Sequence, residues 1–149
     1  MLFRTHLLFG FVLVLFFLPY IAAPLVFIPL VLIASLLPDI DSMHSYLGRS
    51  IWFRPLQFVM KHRGMLHSLS FCVGVSILLL LALPVTALPF FVGYGGHLLL
   101  DACTIEGIHL WWPRSQEIHG SVTTGSTMET GFFYGLILVC ICLFIVRFF

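Results

Sequence analysis

Charge is scarce in this sequence. Asp, Glu, Lys and Arg make up 9% of its 149 residues, while 60% are hydrophobic, and mean hydropathy is +1.12. Soluble domains average roughly 45–50% apolar and about 25% charged. A water-soluble fold of this length cannot hide so much apolar surface, so the composition implies an integral membrane protein, organised as one domain over residues 1–149. A formal net charge of +1 excludes nucleic acid as a partner, because no basic face is present for phosphates. Paired cysteines are lacking too. Cys72, Cys140 and Cys142 lie in apolar runs and none of the four cysteines forms a CxxC, which argues against a disulfide framework and a thiolate zinc site. There is no HExxH helix, GxSxG elbow or P-loop glycine motif. Ser68 directly follows His67, but helical neighbours point apart, so a Ser–His nucleophile pair is not expected.

Long apolar runs are plentiful. They cover residues 7–18, 25–37, 65–83, 88–102 and 132–146, separated by polar stretches at 38–64 and 104–131 that hold nearly all the charge. The first run follows Arg4 as in a signal peptide, yet Pro24 directly follows the only small pair, Ala22-Ala23, and another apolar run comes next. It reads as a retained span. One helix from residue 3 to 37 would be about 52 Å long, well beyond a hydrocarbon core of about 30 Å. Pro19, Pro24 and Pro29 offer breaks, so two short helices with a turn around 19–24 fit better. Arg49, Arg54, Lys61 and Arg63 occupy the 38–64 loop, whereas the Pro19 and Pro84 turns carry no charge. Positive residues favour the cytoplasm. The expected fold is therefore an all-α, multi-pass transmembrane bundle of about five helical segments, with the N-terminus and two polar loops cytoplasmic. Trp111 and Trp112 suit an interfacial aromatic belt.

On that topology, one membrane face collects the ionisable residues. His6 opens the first helix, Asp39 and Asp41 close the second, His62 and His67 open the third, and His97 and Asp101 end the fourth. His97 and Asp101 stand one helical turn apart and can share a metal ion or bridge two. Zinc takes His and Asp ligands readily, and manganese or iron also suits a mixed nitrogen and oxygen set. An ionisable residue in a membrane helix is costly, at least about 2.5–3.5 kcal/mol at its centre. Gly93, Gly95 and Gly96 would let a neighbouring helix approach closely, which describes a packed polar interior. The pair alone is also consistent with hydrogen bonding between helices; His6, Asp39 and His67 at the same face favour metal. Asp41 reads as a cap or solvated loop residue, and His44, His109 and His119 as surface histidines. Arg63 and Arg114 fit cytoplasmic positive charge or a phosphate fork. Ser126 and Glu129 form a capping box before the last helix, with a site role for Glu129 as the alternative. The preceding Thr-Thr-Gly-Ser could also offer N–H groups to an anion.

Together, the early His6, "LLPDIDS" at 36–42, "HRGMLHS" at 62–68 and "GHLLLDACTIEGIHLWWP" at 96–113 resemble the YdjM-like family of LexA-regulated, membrane-bound, metal-dependent hydrolases. That resemblance implies a multi-pass inner-membrane protein with metal-dependent hydrolase activity. The His, Asp, His and HxxxD set is also similar to the ligands of zinc-dependent phospholipases C. Carried over, this implies His6, Asp39, His67, His97 and Asp101 as metal ligands, with Glu129 as a further candidate. The late histidine ligands of those phospholipases have no counterpart here, which leaves one or two ions per chain. The implied substrate is a phosphoester of a lipid or lipid-linked molecule, met at the cytoplasmic face of the inner membrane. Asp39 or Asp101 would orient or deprotonate water, while Arg63 and Arg114 would hold the phosphoryl group. The rival expectation is a non-catalytic metal-binding or transport protein, although transport sites usually lie near the midplane of repeated halves. A purely structural partner is the third.

Overall fold

The computed structural model describes every residue except 44, 46, 47, 55, 56, 58–63, 115 and 149. His44, Lys61, His62 and Arg63 therefore lie outside the described residues. Five α-helices are present among the described residues: α1 (Phe3–Phe17), α2 (Pro24–Ala34), α3 (Leu69–Ala82), α4 (Pro84–Ala102) and α5 (Thr127–Phe148). The expected all-α bundle is found. One element departs from it, an antiparallel ribbon of β1 (Ile108–His109) and β2 (Glu117–Ile118). Ile108 is buried in the core, so the ribbon folds part of the second polar stretch back against the bundle.

The first apolar stretch does break. A 3-10 turn at Leu18–Tyr20 contains Pro19, and α2 begins at Pro24, where the missing N–H costs nothing. With their 3-10 extensions, Phe3–Tyr20 and Pro24–Asp41 are both long and apolar enough to cross a membrane, as is Thr127–Phe148. Helix starts differ from the apolar boundaries because caps outweigh hydropathy. α3 starts at Leu69, not residue 65, because the Ser68 hydroxyl accepts a hydrogen bond from the Phe71 N–H at 3.2 Å. α5 starts five residues early, as Ser126 Oγ accepts from the Glu129 N–H at 3.2 Å.

α4 is the central helix, packed against α1, α2 and α3. Lipid gives no hydrophobic drive for helices to associate, so close packing at small residues must do it. A Cβ on Gly93 would run into the Val31 carbonyl and lie 2.9 Å from Ala34 Cβ, while one on Gly96 would lie 2.6 Å from Leu13 Cδ1. These two glycines therefore set the approach of α4 to α2 and α1. Gly95 faces open space and does not contribute. The outcome is that His97 and Asp101 sit inside the bundle, each about 1% exposed.

Candidate metal centre

The start of α1, the end of α2, the approach to α3 and the end of α4 converge at one end of the bundle. Pro38 cannot continue α2, and residues Leu37–Asp41 form a 3-10 turn instead. That turn aims Asp39 and Asp41 at neighbouring histidines. His67 closes a second 3-10 turn, Met65–His67, held from α4 by the Tyr94 hydroxyl, which donates to the Leu66 carbonyl.

Two overlapping groups of ligand atoms result, His6–Asp39–His97 and His67–His97–Asp101, with the atoms of each within 4.8 Å of one another. All five of the helix-end residues expected from sequence are thus brought together. Asp101 is the hub. Its Oδ1 lies 3.3 Å from His6 Nε2, and its Oδ2 lies 3.3 Å from His97 Nε2 and 3.5 Å from His67 Nε2. It also accepts a hydrogen bond from the Met1 nitrogen at 2.6 Å. His6 stacks on His97 with ring centroids 3.8 Å apart. Asp39 Oδ1 is 3.9 Å from His97 Nε2, and Asp39 is the most open of the five, its side chain 17% exposed.

The tautomers follow from the partners. His97 Nδ1 lies 2.8 Å from the Ser35 carbonyl, which can only accept, so Nδ1 carries the proton. In the neutral ring Nε2 is then a lone pair, buried and without a hydrogen-bond partner among the described residues. His6 also leaves both ring nitrogens without a hydrogen bond. His67 Nδ1 donates to Asp41 Oδ2 at 3.0 Å, the carboxylate–histidine arrangement that orients a metal-ligating imidazole. Lone pairs facing carboxylate oxygens repel unless a cation lies between them, so this donor set fits a divalent metal. Asp41 and Asp101 flank the His67 ring, and their carboxylates favour a cation at that position.

Sequence reasoning missed Asp41. It is 3% exposed, not a solvated cap. From the 3-10 turn at Leu37–Asp41, Asp39 faces His97 and Asp41 faces His67, so both aspartates serve the site through different histidines. Ser35 and Tyr94 were missed as well, since a backbone carbonyl and a second-row hydroxyl leave no motif. Two site expectations fall elsewhere. Glu129, 1% exposed, is in neither ligand group. Its Oε1 accepts from the Leu2 N–H at 2.6 Å and the Thr5 hydroxyl at 2.8 Å, and its Oε2 from the Gly125 N–H at 2.6 Å. It caps the open start of α1 from another helix, and the anion that the Thr-Thr-Gly-Ser turn receives is this carboxylate. Arg114 is exposed in the turn after Trp112, without a contact to the cluster among the described residues. Arg63 lies outside the described residues. His109, read as a surface residue, is half-buried and sits 3.4 Å from Glu117 across the ribbon.

The profile of the family described as "YdjM inner membrane protein" matches residues 1–149. The chain belongs to the YdjM inner membrane protein family. Two curated relatives, Inner membrane protein YdjM of Escherichia coli (strain K12) and of Shigella flexneri, are each 35% identical over 100 residues, covering 58% of this chain and 48% of the relative. The chain thus spans about half the length of these YdjM proteins. No solved structure matches it. Membership explains the many large apolar side chains exposed along the helices, such as Leu25, Leu81 and Val146, which face lipid in an inner membrane protein.

Proposed function

We propose that this YdjM-family chain is a metal-dependent hydrolase whose centre, held by His6, Asp39, His67, His97 and Asp101, works at the cytoplasmic face on a phosphoester of a lipid or lipid-linked substrate. The observation that carries the reading is the buried convergence of three imidazole Nε2 atoms on Asp101, with two of the rings fixed through Nδ1. One or two divalent ions suit the two overlapping groups, zinc first and manganese or iron next. Such an ion supplies Lewis acidity, which brings the pKa of water from 15.7 toward about 7. Asp39 is the ligand candidate open to the outside, placed to orient water or accept its proton. His67 and His97 are locked in orientation by Asp41 and the Ser35 carbonyl. The cytoplasmic assignment rests on the positive residues of the 38–64 loop. The choice of phosphoester rests on the phospholipase C likeness of the ligand set.

Elemental mass spectrometry of the detergent-solubilised protein tests this directly. One or two equivalents of a transition metal are expected in the wild type and a loss in folded His97→Ala. A folded wild type that stays metal-free after supplementation sinks the hydrolase reading. Metal without turnover of any phospholipid favours the non-catalytic alternative. Asp41→Asn preserves shape but weakens the acceptor for His67 Nδ1–H. A 10–100-fold weaker metal affinity is expected, measured by competition with a chelating dye, with helical content unchanged.

A further inference from the structure

A groove of about 410 Å³ runs along the outer face of α1, floored by Leu7, Leu8 and Phe11 and walled by Leu32 of α2 and Phe133 of α5. That volume lies within the roughly 300–1,000 Å³ of ordinary ligand sites. Arg4 is the one charged residue of the lining and sits at the end of α1 that carries His6. Its guanidinium stands 5.0 Å from the centre of the Phe133 ring, and no carboxylate lies against it among the described residues. From Arg4 to Phe11 the groove descends about 10 Å at ~1.5 Å per residue. Both α1 and α5 are long and apolar enough to cross a membrane, so this trough opens sideways into hydrocarbon. Only an acyl chain or another helix can fill it there. The lone cation at its interfacial end selects the chain, because a lipid brings its phosphate to that same level.

We propose that this groove seats one acyl chain of an anionic glycerophospholipid with Arg4 on its phosphate, and that this lipid is the substrate class of the adjacent centre. The seat stands on the groove and Arg4; its role as substrate rests on the metal-hydrolase reading. Leu32 lies on the segment that continues to Asp39, the most open ligand candidate, so a lipid held here enters from the membrane on the side of that segment.

The test reads lipid retention, not turnover. Protein in a mild detergent is mixed with phosphatidylglycerol and phosphatidylcholine, and the lipid carried by each folded molecule is counted by native mass spectrometry. Wild type is expected to retain one phosphatidylglycerol about tenfold better than phosphatidylcholine, a difference of about 1.4 kcal/mol. Arg4→Gln loses that preference, and Phe133→Leu, which keeps the charge but not the ring, retains it. Leu8→Trp fills the trough and lowers retention of both lipids. Equal retention by wild type, a preference that survives Arg4→Gln, or lipid-free dimers that bury the groove would each overturn the seat. Metal bound without lipid preference defeats the seat alone. Phosphatidylglycerol retained by a metal-free protein defeats the hydrolase reading and leaves a lipid site.

Discussion

Asp101→Asn is expected to be the most damaging single substitution in the centre, costing about 3–5 kcal/mol of stability and the bound metal together. The carboxylate lies within 3.5 Å of the imidazoles of His6, His67 and His97 and also takes the Met1 nitrogen, all at nearly complete burial. Removing its charge leaves groups from three chain segments facing one another, with only Asp41 beside His67 and the more open Asp39 near His97 to balance any positive charge they carry. Asp39→Asn provides the comparison. Its Oδ1 is 3.9 Å from His97 and partly reached by solvent, so the stability loss is expected to be smaller while metal affinity still falls. Denaturant unfolding in detergent, paired with metal content, separates the two. An Asp101→Asn protein that keeps both stability and metal would show that Asp101 does not hold the centre together.

Gly93→Val is expected to abolish the site without touching a ligand. The added Cβ meets backbone of α2, the Val31 carbonyl and the Ser35 nitrogen at 3.1 Å, together with Ala34 Cβ at 2.9 Å. Backbone cannot swing aside as a side-chain tip can, so α2 and α4 must separate. Overpacking of this kind costs about 1–3 kcal/mol or more. It also carries the Ser35 carbonyl away from His97 Nδ1, so the imidazole loses its anchor. Gly95→Val is the matched control two residues along, where nothing lies within 4 Å. Stability within about 1 kcal/mol of wild type and unaltered metal content are expected there. If both variants behave alike, close helix approach at Gly93 is not what holds the centre.

Hydropathy made the helices legible, and among the described residues three of them, α1 and α2 with their 3-10 extensions and α5, are long and apolar enough to cross a membrane. Proline placed the α1–α2 turn for the same elementary reason that it ended α2. The candidate ligands were legible as a set because each is an expensive residue at or near a helix end, and the bundle brings those ends together. What escaped detection depends on geometry that periodicity does not encode. Asp41 meets His67 across 26 residues of sequence, from a 3-10 turn at residues 37–41 that a helical period does not anticipate. The ribbon at 108–118 is two residues per strand, too short for an alternating pattern. Glu129 illustrates the opposite error. The S-x-x-E signature correctly located the start of α5, yet the carboxylate also secures α1 across 127 residues of sequence, which no local window contains.

The centre draws one candidate ligand from residue 6 and another from residue 101, with Asp39, His67 and His97 in between. At about 5–20 residues per second, synthesis leaves on the order of ten seconds between the appearance of the first ligand and the last. During that interval the α1–α2 hairpin must hold His6 without the Asp101 carboxylate that later faces it. A nascent chain arrested after α3 can thus be inserted, helical and lipid-embedded while still lacking His97 and Asp101. Arrival of α4 brings His97 and Asp101 to the other three members of the cluster, and Glu129 of α5, made later still, then holds the start of α1 that carries His6.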